Sequence, residues 1–208
     1  FLPLFDIERV KSLIIGVALP PVIFDTEWEL CREMLIKARD KGAKYALCHN
    51  LAAVELAKKH GFQIHLGFGM NIFNAHSARY FEGCDITPSF ELTLRQAAAI
   101  GGTGLLAYGR LPLMITRNCV KGGKRDCASC KKSLTDRKGV TFPVACGRGY
   151  SEILNTKPLM VSADRDKLDS FEFLSLYFTD ESRMPNRYDL DKVSTELPIC
   201  ATRACGHA

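Results

Sequence analysis

The chain has no apolar run approaching the roughly 18 residues that a membrane-crossing helix needs, so no transmembrane span is expected. It contains neither G-x-S-x-G nor H-E-x-x-H, the motifs that mark a serine hydrolase or a helical zinc peptidase. Its five histidines, His49, His60, His65, His76 and His207, include no i, i+4 pair. Between Arg117 and Lys138 no aromatic residue interleaves the basic ones, which gives no support to base stacking there. The chain opens on Phe1 instead of Met. Sequence upstream is therefore expected, and the lack of a leader says little about compartment.

What is present is an ordinary globular composition: 208 residues, 47% hydrophobic and 25% charged, enough for one domain with a sizeable core. Residues 12–19 (SLIIGVAL) read as a buried strand stopped by Pro20-Pro21. The spacing of Trp28, Cys31, Leu35 and Ile36 predicts a helix over 25–41 that ends at Gly42. Further strands are predicted at 44–48, 62–66, 84–87 and 103–108. Helices are predicted at 51–59 behind Asn50, at 74–82, and at 90–100 behind Ser89. Strands alternating with helices imply βα units and a parallel sheet. Five units fall short of an eight-fold barrel, so the expected fold is α/β, a partial TIM-type barrel over residues 1–116.

After Pro112 the pattern changes. Residues 117–150 form a Gly-, Lys- and Cys-rich insertion, with a hairpin over 133–144 around Asp136-Arg137-Lys138-Gly139. Residues 151–208 read as a C-terminal βα segment with strands at 158–161 and 172–178, a short helix near 163–169, and a polar tail from about Asp180.

The chain has nine cysteines, an odd number that cannot all pair within it. Cys31, Cys48 and Cys84 lie singly in helix or strand segments, where a thiol acts as a small hydrophobe. Cys200 and Cys205 lie in the tail. Cys119, Cys127, Cys130 and Cys146 concentrate in the loop-rich stretch. A disulfide framework belongs more often to a small secreted domain, so metal binding in a cytoplasmic protein is the better reading. A C-x-x-C pair with two outlying cysteines supplies four thiolates, which suit tetrahedral zinc and equally an iron–sulfur cluster. The net charge of +5 is concentrated here. Eight basic residues against Asp126 and Asp136 between Arg117 and Lys138 give a local balance of +6. These cations would lower thiol pKa values, and they could also neutralise RNA phosphates.

The segments YGRLPLMITRNC (108–119), the C-x-x-C at 127–130, LTDRKGVTFPV (134–144), Cys146 and ILNTKPLM (153–160) resemble the core of the collagenase-like family, unassigned peptidase family 32. ALCHNLA (46–52), HLGFGMNIFNA (65–75) and SFELTL (89–94) fit as well, so the resemblance spans roughly 12–178. It is strongest to the second, C-terminal repeat of the long members. The resemblance implies a barrel-like protein whose Cys119, Cys127, Cys130 and Cys146 hold a 4Fe-4S cluster, with zinc as the alternative. It implies oxygen-independent hydroxylation, with tRNA or ribosomal RNA bases or the ubiquinone ring as substrates, and prephenate as a requirement of the RNA branch. It also carries an older protease label, against which the missing hydrolytic motifs argue. The HGA-type signature of other repeats is absent. The upstream half of the same protein, or a partner subunit, is thus expected to contribute to catalysis. A structural metal-binding repeat without its own chemistry is the third reading.

Strand ends carry the remaining candidates, because barrel ligands bind where strands pass into loops. Glu91 is a candidate general acid/base and Arg110 a catalytic anion holder. His65, Asn71, Asn74, Tyr108 and Arg137 are candidate substrate-binding residues. His49 and Asn50 also stand at a strand end, although Asn50 and Ser89 read equally as helix caps and His65 as a hydrogen-bonded rim residue.

Overall fold

A computed structural model describes residues 1–120, 122, 127, 130–161, 168, 170–179 and 199–203, the last group as backbone. The short helix anticipated near 163–169 and most of the tail lie outside this set. The described residues are mixed α/β and form three sheets.

The first sheet comprises β1 (Leu2–Pro3), β2 (Gly16–Ala18), β3 (Tyr45–Cys48), β4 (Gln63–Leu66) and β5 (Asp85–Ile86). All neighbours are parallel and the spatial order follows chain order. Helices α1 (Trp28–Asp40), α2 (Leu51–Lys59) and α3 (Ala75–Tyr80) make the crossovers. Each unit adds its strand on the same side, without the reversal of a doubly wound sheet.

Local chemistry explains these elements. In α1, Cys31, Met34, Leu35 and Ala38 are buried at the i, i+3, i+4, i+7 spacing of one helical face. The chain leaves the helix through Gly42 at φ +93°, a conformation that strains any residue with a Cβ. Asn50 caps α2. Its Oδ1 accepts from the Ala53 amide at 2.8 Å, and its Nδ2 donates to the carbonyls of Pro20 and Pro21. One side chain thus fixes a helix start and the loop after β2. Leu35, Leu66 and Val17 are fully buried between helices and sheet. Cys31 and Cys48 join them, and burial pushes their thiols up to about 11 and about 12.

One expected helix differs. Helix α4 spans Leu94–Ala99 and is capped by Thr93, not by Ser89. The Thr93 hydroxyl accepts from the Gln96 amide while Gln96 reaches back to the Thr93 amide. This reciprocal capping box outcompetes a single serine. Ser89 is buried, and its amide donates to the Ile72 carbonyl instead.

The second sheet is antiparallel, with β7 (Pro112–Thr116), β8 (Ser133–Thr135), β9 (Thr141–Cys146) and β10 (Ser151–Leu154) in the order β7-β10-β9-β8. The hairpin joining β8 to β9 turns where expected. Asp136 Oδ1 accepts from the amides of Lys138 and Val140, and Gly139 takes φ +81°. Pro112–Thr116 and Ser151–Leu154 pair with each other across the whole cysteine-rich stretch.

The third sheet sets β12 (Phe173–Phe178) parallel between β6 (Gly104–Gly109) and β13 (Ile199–Arg203), with β11 (Leu159–Met160) antiparallel against β6. The first and third sheets meet at several places among the described residues, His65 against Phe173 being one. The Ile86 amide donates to Thr103 Oγ1 at 2.7 Å, and the backbone of β13 runs beside β1. Among the described residues the ladders do not join into one closed barrel. Nor is any described helix long and apolar enough to cross a membrane.

Candidate functional site

The C-terminal ends of β1, β2 and β3 open into a cleft of about 170 Å³ whose opposite wall is the second sheet. Its floor includes Ala18, Leu19, Leu47 and Phe68, and its roof includes Cys146, Arg148, Tyr150 and Glu152. The roof is held down by side-chain stacking. The Arg117 guanidinium lies 4.2 Å from the centre of the Phe24 ring and that of Arg148 5.5 Å from Phe5.

His49 follows β3 directly and lines the cleft. A Cβ on Gly67 would come within 2.3 Å of its ring, and one on Gly69 within 2.8 Å of its Cβ. The glycines of the 67–69 turn therefore make the space the imidazole fills. The Gly69 amide donates to His49 Nδ1 at 3.1 Å. An accepting Nδ1 places the proton of the neutral ring on Nε2. Burial disfavours the charged form and pushes the ring pKa down to about 4.

Glu152 faces it from β10. The residue is 4% exposed. Tyr177 of β12 donates its hydroxyl to Glu152 Oε2 at 3.1 Å. Desolvation raises the carboxyl pKa, and the tyrosine hydrogen bond opposes it only partly. Among the described residues no Lys, Arg or His forms an ion pair with Glu152. The cleft thus holds a buried acid and a neutral imidazole over an apolar floor, an arrangement suited to proton transfer or to recognition of a small ligand.

The cysteines occupy the adjoining edge. Cys119 lies three residues beyond the end of β7, Cys146 ends β9, and Cys130 lies three residues before β8. In this antiparallel sheet those are all the same edge. The β8–β9 register pairs Ser133 with Pro143, and the Val144 amide donates to the Lys132 carbonyl at 2.7 Å. Lys132 takes φ +46°, so the chain turns off the strand between Cys130 and Ser133. Cys127 lies in the connection between β7 and β8. Cys119 and Cys127 are exposed, and Cys130 and Cys146 are half-buried. The Lys132 amide donates to Cys130 Sγ at 3.4 Å, and the Ser151 hydroxyl lies 4.0 Å from Cys146 Sγ. Among the described residues no three His, Cys, Asp or Glu side chains are gathered closely enough to hold a metal ion. The donor set nonetheless fits a thiolate-liganded centre in kind and number. Lys131 and Lys132 adjoin it, and Arg137 and Lys138 lie in the hairpin turn. Lys121, Lys124, Arg125 and Asp126 lie outside the described residues, as does Cys205.

The other sequence-selected residues sit elsewhere, and none lines this cleft. Glu91 is exposed in the turn before α4, its amide donating to Ser89 Oγ. Arg110 donates to the Asn155 carbonyl at 3.2 Å and to that of Thr156, tying the start of β7 to the segment after β10. His65 Nε2 lies 2.7 Å from Asp85 Oδ2, with ring edges against Phe1, Tyr45 and Phe173. Desolvation lowers its pKa, and the Asp85 charge opposes that. Asn71 takes φ +51° where the chain leaves the 68–70 turn. Asn74 caps α3 by accepting from the His76 and Ser77 amides. Tyr108 is buried in the core of the third sheet, and Arg137 is exposed.

Glu152, Tyr150 and Tyr177 are not among the residues that sequence reasoning singles out. The available signal is an acidic residue directly before the apolar pair Ile153-Leu154, shortly after the Gly147-Arg148-Gly149 turn. No protein-family model, curated protein or solved structure matches the chain.

Proposed function

We propose that the chain is a barrel-type, iron–sulfur-dependent domain of an RNA-modifying, hydroxylating protein of the collagenase-like family, with Cys119, Cys127, Cys130 and Cys146 holding one 4Fe-4S cluster. The observation that carries this is topological. The end of β7, the start of β8 and the end of β9 lie at one end of one sheet, so Cys119, Cys130 and Cys146 leave or enter it on that side, and Cys127 lies in the connection between β7 and β8. Four cysteine thiolates are the donor set that such a centre takes. A bound cluster would supply one-electron chemistry. The chain's own part is to hold the thiolates, and to exclude water at the adjoining cleft, which Cys146 also lines. The first and third sheets, meeting at Thr103 and at β1, favour a barrel as the parent architecture, with the second sheet inserted after β6. Basic side chains at Lys131, Arg137 and Lys138 would meet RNA phosphates.

A structural, non-catalytic repeat is the second reading. It is favoured by Arg110, whose guanidinium is engaged with backbone carbonyls, and by the placement of Glu91 outside the cleft.

The test is anaerobic purification of the protein and its cysteine variants. A brown protein is expected, with its visible absorption lost in Cys130→Ser and Cys146→Ser and retained in Cys31→Ser. Stoichiometric zinc in a colourless protein would transfer the site to zinc, and retention of colour in both edge variants would remove these ligands.

A further inference from the structure

The cleft has a chemistry that the cysteine edge does not explain. Glu152 is a carboxyl 4% exposed, held by Tyr177 through Oε2, without any basic side chain paired to it among the described residues. Around it the cleft is lined by the aromatic rings of Phe5, Phe68, Tyr150 and Tyr177. Phe68 and Tyr177 pack edge to face at 5.3 Å, joining floor to roof. A Cβ on Gly147 would come within 2.2 Å of the Tyr150 ring, so the glycine is what lets that ring lie down beside β9. The imidazole of His49 is neutral and adds no positive charge. Arg148, which also lines the cleft, is exposed and its guanidinium stacks on Phe5.

A buried carboxylate without a counter-ion is costly. Aromatic faces attract cations by their quadrupoles, most strongly where water is excluded. An anionic ligand would meet the carboxyl with no buried cation among the described residues to offset it, and a neutral one would leave it uncompensated. From this carboxyl and its aromatic walls we infer that the cleft binds a small organic cation, an ammonium group on one ring or a short apolar chain, with Glu152 as its counter-ion. The volume of about 170 Å³, below the roughly 300–1,000 Å³ of pockets for drug-sized ligands, limits the occupant to that size. This inference does not depend on the cysteines holding a metal.

Three probes of nearly equal shape test it on the full chain: benzylammonium, benzyl alcohol and benzoate, titrated with amide chemical shifts as the readout. Benzylammonium is expected to bind saturably at the cleft, at least about tenfold more tightly than either isostere, the sum of one ion pair and a cation–aromatic contact. Glu152→Gln should erase that preference, and Tyr177→Phe should keep most of it. Equal affinity for the three probes on the unaltered protein would overturn the inference, as would no saturable binding of benzylammonium. A preference that survives Glu152→Gln would overturn the assignment of the counter-ion.

Discussion

Replacing His49 by asparagine should remove a defined share of the protein's acid sensitivity. The asparagine Oδ1 stands where imidazole Nδ1 stood, so the Gly69 amide keeps an acceptor, while the titrating group is gone. In the folded protein burial holds the ring at about 4, against an ordinary value of 6.5. The unfolded chain therefore binds a proton that the folded chain refuses throughout that window. Stability from His49 is fully present above 6.5 and is lost as pH falls towards 4. The gap between the two values is worth about 3 kcal/mol at most, since each pH unit corresponds to about 1.4 kcal/mol. Urea unfolding of both proteins at half-unit steps from about pH 7.5 to about pH 4 gives the difference curve. His65 and Glu152 are common to both and cancel. The substitution leaves a gap in the 67–69 cradle, so the His49→Asn variant should start less stable at neutral pH and lose less on acidification. A constant offset across the window would refute the argument, and so would a His49 ring resonance titrating near its ordinary value.

Two further substitutions probe the scaffold and the cleft. Asn50→Ala should destabilise the protein by about 1 to 2 kcal/mol in urea unfolding, because one side chain caps α2 and also holds the carbonyls of Pro20 and Pro21. Glu152→Gln should stabilise the protein at neutral and alkaline pH and lose that advantage as pH falls. A carboxyl whose folded pKa is raised contributes stability only below that value, and ionises at a cost above it. Melting temperatures of the two proteins from mildly acidic to mildly alkaline pH give the sign.

Sequence pattern locates the elements whose causes are local. Asn50 and the spacing after it predict α2 over the residues it occupies, and Asp136 with Gly139 predicts the β8–β9 turn. It fails where partners are distant. β7 and β10 find each other across the cysteine stretch, and every residue of β10 is buried, so no alternation marks it as a strand. Glu152 is hidden for the same reason. A lone Glu in SEIL reads as a solvent-facing position until Tyr177, 25 residues later, is folded against it. Arg110 and Asn74 show what the pattern leaves open. Both stand at strand ends as candidate ligand holders, and in the structure both also bond to backbone groups, a contact that residue type and spacing do not reveal. The cysteines are legible by count and spacing alone, whereas their shared edge emerges only from the pairing of β7, β8, β9 and β10.

The most direct test of the account is the iron and acid-labile sulfide content of protein prepared and analysed without oxygen. About four iron and four sulfide per chain are the values expected for a single 4Fe-4S centre, falling to background in Cys130→Ser. Protein free of iron, with Cys119, Cys127, Cys130 and Cys146 all alkylated rapidly in the folded state, would contradict it.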